Sequence, residues 1–240
     1  MILYGRNPVR EALRGRRASS VTDVWATAGA AREPWLRDVP VRTATADEIE
    51  RRCGSSAHQG VCAEAGPYPY AGSDELLAGE RPLLVALDQV QDPQNLGSIC
   101  RTAECVGATG VVIPERRAAE VTPSVCKASA GAVEHLQVAR VRNMADFLEQ
   151  ARGAGCWSYG ASAEAAGGSR PPVPYDRPDY TGGGVVLVLG SEGSGLRPRV
   201  AKACDELIAL PLLGRIESLG VSAAAAAILY EILQRRRAGA

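Results

Sequence analysis

Histidine and lysine are scarce in this 240-residue chain, and no apolar run approaches the length of a membrane span. The longest apolar stretches, VVLVL at 185–189 and AAAAAILY at 223–230, fall far short of the roughly 18 residues a spanning helix needs. Arg6 and Arg10 interrupt what would have to be the apolar part of an export signal, so no export is expected. The two histidines, His58 and His135, lie 77 residues apart with no H-x-x-x-H companion, and no metal is expected. Seven cysteines (Cys53, Cys62, Cys100, Cys105, Cys126, Cys156, Cys204) are odd in number and never spaced C-x-x-C. That pattern suits neither a disulfide framework nor a zinc site, and a reducing, cytoplasmic setting is expected. Net charge is absent too, at 27 basic against 27 acidic residues, so only a local concentration of charge can argue for a polyanionic partner.

One such concentration exists. Only Lys127 and Lys202 are lysine and the other 25 basic residues are arginine, a bias that a high-GC genome produces by itself. Five of them (Arg6, Arg10, Arg14, Arg16, Arg17) fall within residues 1–17 against a single acid, Glu11, a local charge of +4 on which a polyanion could dock. With 46% apolar and 22% charged residues, the chain has enough apolar surface to bury, and disorder is excluded as its main state.

Residues 1–66 read as a small α/β unit. Asn7 with Pro8 behind it suits a helix start, VTDVWAT (21–27), VPVRT (39–43) and GVCAEA (60–65) suit strands, and Thr45 with Glu48 forms the T-x-x-E capping box of a short helix. GPYPYAGSDELLAGERP (66–82) has a linker's composition, placing the boundaries at 1–66, 67–82 and 83–240. From 83 onward short apolar strands alternate with helices: strands at 83–88, 110–114, 136–141, 156–162, 185–190 and 206–213, and helices at 95–107, 124–132, 144–154 and 219–237. This predicts an α/β fold with a parallel sheet covered on both faces. Residues 163–184 read as a long irregular surface loop.

Three segments of the larger unit could carry chemistry. The loop GSEGSGLR from Gly190 lacks the Lys and Ser/Thr of a phosphate-binding loop and the last glycine of a dinucleotide fingerprint. Instead it carries Glu192, which would repel a phosphate but accept a hydrogen bond from a sugar hydroxyl. In PQNLGSICRTAECVGA, the positions Leu96, Ile99, Cys100, Ala103 and Val106 belong to the core, which leaves Asn95, Gly97 and Arg101. Gly97 and Arg101, four apart, share a helix face, and the missing side chain at 97 predicts room for a ligand beside the guanidinium. In LPLLGRIESLGVSAAAAAILYE, Ser218 or Ser222 suits the cap of an alanine-rich helix.

Taken in order, NLGSICRTAECVGA, LVLGSEGSGL and LPLLGRIESLGVSAAAAAILYE resemble the three motifs of the SpoU/TrmH family of RNA ribose 2′-O-methyltransferases, within the SPOUT superfamily, over roughly residues 83–235. YGRNPVREAL and AHQGVCAEA further resemble the small ribosomal-protein-like RNA-binding domain preceding the catalytic domain in RlmB-type members, which methylate a guanosine ribose of 23S rRNA. The resemblance implies a deep C-terminal trefoil knot, S-adenosylmethionine held by Gly190, Ser191, Leu210, Pro211 and Leu219, and a homodimer through the knotted domain. It also implies a catalytic set of Asn95, Arg101, Glu192 and Ser218, with Arg6, Arg10 and Arg14 as RNA-binding residues. A guanidinium pKa of about 12.5 or more makes Arg101 a poor base, so its expected role is to grip the adjacent phosphate and lower the hydroxyl pKa. One position departs from the pattern: Ser218-Leu219-Gly220-Val221-Ser222 stands where the family reads S-L-N-V-S. Two other readings suit the same residues: a non-catalytic RNA-binding or assembly protein, or the same chemistry on transfer RNA or at an antibiotic-site nucleotide.

Overall fold

The computed structural model describes residues 1–162, 171–216 and 218–239. The N-terminal unit holds β1 (Ile2–Tyr4), α1 (Arg6–Ala12), β2 (Val21–Ala26), β3 (Val41–Thr43), α2 (Ala46–Cys53) and β4 (Val61–Ala65). Its sheet runs β1-β4-β2-β3, antiparallel except for the β2–β3 pair. The predicted capping box forms: Glu48 N donates to Thr45 Oγ1 at 3.3 Å, and the Glu48 carboxylate accepts from Thr45 N at 2.7 Å. The first helix starts earlier than the Asn7 cap predicted. Gly5, at φ 94°, turns the chain out of β1 and stands as the cap, so Pro8 falls inside the first turn, where its missing N–H is not needed.

The 66–82 stretch is packed rather than linker-like. Tyr68 is buried with its hydroxyl 2.9 Å from the carbonyl oxygens of Val133 and Leu136. Further on, α3 (Ser73–Leu77) buries Leu76 and Leu77 against the large sheet. A bidentate ion pair also joins the two units: Arg17 Nη2 and Nε lie 2.6 and 2.7 Å from the two oxygens of Glu134, with side chains 3% and 0% exposed. Arg17 is therefore withdrawn from the basic docking surface predicted for residues 1–17. Arg6 pairs with Glu33 and Arg10 with Glu11, which leaves Arg14 and Arg16 exposed and without an ion pair among the described residues.

In the larger unit, β5 (Leu83–Asp88), β6 (Gly110–Pro114), β7 (Gln137–Val141), β8 (Cys156–Ala161), β9 (Val173–Pro174), β10 (Gly184–Gly190) and β11 (Glu206–Ala209) form one sheet, ordered β7-β6-β5-β10-β8-β11-β9. Every pairing in it is parallel. Successive side chains of a strand point to opposite faces. Accordingly Val85, Leu87, Val185 and Leu187 face the cluster containing α4 (Pro93–Cys105), α5 (Pro123–Ala128) and α8 (Val221–Ala238). Leu84, Ala86, Val186 and Val188 face α3, α6 (Met144–Gly153) and α7 (Pro198–Ala203). Both faces being covered is why these strands read as continuous apolar runs.

Three expectations need correction. The strand predicted to reach 213 stops at Ala209, because its outer neighbour β9 has only two residues and no pairing among the described residues continues beyond it. The helix α7 was not anticipated, although Arg197-Pro198 is a helix-start signal. The loop predicted at 163–184 falls outside the described residues at 163–170, while its remainder holds β9 and the fully buried Tyr180, edge-on to Tyr159 with ring centroids 4.9 Å apart.

Candidate active site

A cleft of about 280 Å³ opens at the carboxyl ends of β8, β10 and β11, closed on one side by the first turns of α8. Crevices at the carboxyl ends of parallel strands are where ligands bind in open α/β sheets. The floor is apolar, from Leu189, Ile208, Val221 and Ile228, and polar groups stand on the rim at Ser191, Glu192 and Ser218.

The 191–195 loop owes its shape to Gly190. Ser191 and Gly195 exchange two backbone hydrogen bonds, of 3.1 and 3.0 Å, and fold the loop back onto the end of β10. A Cβ at 190 would overlap the backbone of Gly195 and Leu196. The loop's far end is held by Asp88, a fully buried carboxylate at the end of β5 directly opposite Gly190. Asp88 accepts from Arg197 N at 2.9 Å and from its Nε at 2.8 Å, with Nη2 at 2.6 Å. Asp88 is not among the site residues the motifs single out, although an acid closing an apolar strand is itself a signal, since burial there demands a charged or hydrogen-bonding partner.

Of the expected catalytic residues, two meet directly: Asn95 Nδ2 donates to Glu192 Oε1 at 2.8 Å, tying the start of α4 to the glycine-rich loop. Ser218 lines the same cleft, and its Oγ accepts from Gly220 N at 3.3 Å. Gly190, Ser191, Leu210 and Leu219 line it as well, whereas Pro211 is exposed and outside the lining. Arg101 is elsewhere. It sits on the exposed side of α4, lines a second cleft with Asn7, Arg10 and His135, and its guanidinium makes no hydrogen bond or ion pair among the described residues. The room predicted beside it at Gly97 is filled: a Cβ there would overlap Ala128 and stand 2.9 Å from Ser129 N, so Gly97 serves the close approach of α4 and α5. Ala161 and Ser162 also line the cleft and were read only as strand residues; their place at a carboxyl strand end was the available signal. Among the described residues no cluster of three His, Cys, Asp or Glu could hold a metal ion, and no helix is long and apolar enough to cross a membrane.

Gly220, where the resembled pattern has asparagine, caps α8 at φ 81° and ψ 141°, backbone that glycine alone enters without strain. A side chain at 220 has open space, so conformation is the obstacle. Gly220→Asn is expected to lose about 1–3 kcal/mol, read as a lower melting temperature without ligand. An equally stable variant would show that the loop readily takes another conformation.

This cleft has the chemistry of an adenosyl-ligand site: apolar walls for a planar base, glycine-flanked backbone amides and carbonyls for its edges, and hydroxyl and carboxylate groups at the rim for a sugar. The comparisons agree. A family model described as the SpoU rRNA Methylase family matches residues 82–230. A second, described as RNA 2′-O ribose methyltransferase substrate binding, matches residues 2–71. The chain is 44% identical over 184 residues to YacO of Bacillus subtilis (strain 168), named for the TrmH family of tRNA/rRNA methyltransferases; the match covers 75% of this chain and 71% of that protein. The AdoMet-bound rRNA methyltransferase from Sinorhizobium meliloti superposes with a TM-score of 0.80 at 26% identity, covering 97% and 86% of the two chains. The SpoU methyltransferase AviRb from Streptomyces viridochromogenes, in complex with AdoMet, gives 0.81 at 25% identity, covering 100% and 91%.

Proposed function

The chain belongs to the SpoU rRNA methylase family and is an S-adenosylmethionine-dependent RNA ribose methyltransferase, and from that premise we propose that it methylates the 2′-hydroxyl of a guanosine in 23S rRNA. The observation that carries this reading is the Gly190 cleft with the Asn95–Glu192 contact at its mouth. Gly190, Ser191, Leu210 and Leu219 would hold the cofactor, with Leu189 and Ile228 among its apolar support. When bound, S-adenosylmethionine supplies a methyl group made electrophilic by its sulfonium.

The chain's own residues act on the acceptor. A ribose hydroxyl is too weakly acidic to ionise at neutral pH, so its proton loss has to be assisted. The Glu192 carboxylate, held in place by Asn95, accepts a hydrogen bond at the rim, and the Ser218 hydroxyl positions the nucleotide. Arg101 lies outside this cleft in its own protomer. A second copy of the chain brings Arg101 to it, gripping the phosphate beside the target ribose and stabilising the developing alkoxide. Apolar surface around the cleft supports such a homodimer: Leu213, Ile216 and Leu219 are 98%, 76% and 52% exposed, and Tyr230 projects from α8 nearby. The proposal includes a trefoil knot in this region, consistent with β10 lying between β5 and β8, and a cytoplasmic location. RNA rather than DNA follows from the acceptor itself, the hydroxyl that DNA lacks.

The test incubates the protein with labelled S-adenosylmethionine and unmodified 23S rRNA or transfer RNA, then maps nucleotides newly resistant to alkaline cleavage. One protected guanosine in 23S rRNA is expected, with a loss of more than roughly tenfold in Arg101→Lys, because an ammonium lacks the bidentate fork. Protection confined to transfer RNA would replace the substrate. Cofactor binding with no methyl transfer to either RNA would favour a non-catalytic binding protein.

A further inference from the structure

The second cleft, about 410 Å³, lies on the seam between the two units and is separate from the cofactor cleft. One wall is α1, through Asn7, Arg10 and Glu11, and the other is α4, through Arg101, Glu104 and Cys105. Its remaining lining comes from the 129–135 turn, with Ser129, Ala130, Ala132 and His135. Ala130 adopts φ 52° and Gly131 φ 89°, a left-handed bend that presents small residues to the cleft.

The charges are organised. Glu11 spends both carboxylate oxygens on neighbours: Oε1 lies 2.7 Å from Arg10 Nε and Oε2 lies 2.9 Å from His135 Nε2. Burial pushes the Glu11 carboxyl up, but the hydrogen bonds with His135 and Arg10 outweigh it and hold the group below its ordinary range. Only the Nε of Arg10 is committed, which leaves both terminal nitrogens of its guanidinium without a partner among the described residues. The Arg101 guanidinium across the cleft has no partner among the described residues, and Arg14, in the turn that follows the end of α1, is exposed and likewise unpaired among them. Two planar forks with free donors on facing walls suit phosphodiester oxygens, which a guanidinium binds bidentately. The single uncompensated acid, Glu104, lies on the α4 wall with Arg101.

We propose that this seam cleft holds the sugar-phosphate backbone of the RNA strand leading to the target nucleotide in the second copy's cofactor cleft, with Arg101, at the target end, on one wall and Arg10 on the other, and Arg14 outside the lining beyond the end of α1. The proposal rests on the RNA methyltransferase reading and adds where the substrate strand runs. The cleft spans both units, so its width depends on the docking held by the Arg17–Glu134 pair, and the two units grip one strand jointly.

The experiment uses the full chain. Binding of unmodified 23S rRNA and of a single-stranded oligoribonucleotide is measured against salt concentration for the unchanged protein, Arg14→Gln, Arg10→Gln and Glu11→Gln. Each lost phosphate contact lowers the salt slope by about 0.7 for a single strand, which is the expected result for Arg14→Gln and Arg10→Gln. Arg14 is exposed and makes no ion pair among the described residues, so its variant breaks none of their ion pairs. Glu11→Gln removes the compensating acid and is expected to bind RNA more tightly; a purely structural Glu11 would leave affinity unchanged or lower. Unchanged slopes in both arginine variants, or no RNA binding by the unchanged protein, overturn the proposal. Methyl transfer by the unchanged protein is assayed separately, so the methyltransferase reading can stand when the cleft proposal falls.

Discussion

Gly190→Ala is expected to lose cofactor binding by about 10- to 100-fold while the sheet stays folded. The added methyl group meets the backbone of Gly195 and Leu196, which cannot rotate away as a flexible side chain would. Either the 191–195 turn opens or β10 shifts, and β10 is paired along its length with β5 and β8. The turn therefore gives way, carrying Ser191 and Glu192 with it and breaking the Asn95 contact. Overpacking of this kind costs about 1–3 kcal/mol, and about 1.4 kcal/mol is tenfold in affinity. Calorimetric titration with S-adenosylmethionine reads the effect directly. Gly193→Ala is the comparison, since a Cβ there meets nothing within 4 Å and the only strain it adds comes from the φ of 84°; equal losses in the two variants would show that the turn is set by backbone conformation and not by its contact with β10.

The second large effect is in stability. Glu134→Gln leaves the Arg17 guanidinium, 3% exposed, buried without a counter-charge, since no other carboxylate pairs with it among the described residues. Breaking one member of a buried pair costs about 3–5 kcal/mol, which for a chain of this size lowers the melting temperature by roughly 6–20 °C. The pair bridges the two units, and Gly15 and Arg16 pack on Glu134 at the same seam. Its loss is therefore expected to loosen the N-terminal unit before the large sheet, seen as earlier hydrogen exchange in β1 and α1 than in β5 and β10. Uniform exchange across both units at the lower melting temperature would mean that the chain unfolds as one cooperative body. The double replacement Arg17→Met with Glu134→Leu should recover much of the stability, because the cost lies in the unpaired charge.

The strands of the larger sheet were legible because burial on both faces removes every reason for polar residues: LLVALD and GVVIP were read at their observed limits. The capping box of α2 was equally local, since Thr45 and Glu48 need only each other. What failed were elements defined by partners far away. The end of β11 depends on a two-residue neighbour, and the 66–82 stretch looks like a linker although Tyr68 is held by Val133 and Leu136, 65 and 68 positions on, and Leu76 and Leu77 pack in a cluster that includes Val112, Ala139 and Leu148. Gly97 failed for the same reason, since a glycine on a helix face signals equally a space for ligand and a tight neighbour, and only α5 resolves it.

The site divides along the same line. Sequence alone identified the family, the three motifs and the glycine-rich loop, because glycine, proline and capping residues impose their conformations within a few positions of themselves. It also supplied Asn95, Glu192 and Ser218 as candidates, without the distances between them. Only the tertiary structure decided that Asn95 meets Glu192 across 97 positions, that Arg101 faces the other cleft, and that Arg17 is an interior residue instead of an RNA ligand. The reason is physical: an arginine's role is set by which carboxylate or solvent its guanidinium reaches, and that is a property of the packed chain, whereas a backbone turn is a property of the residues that make it.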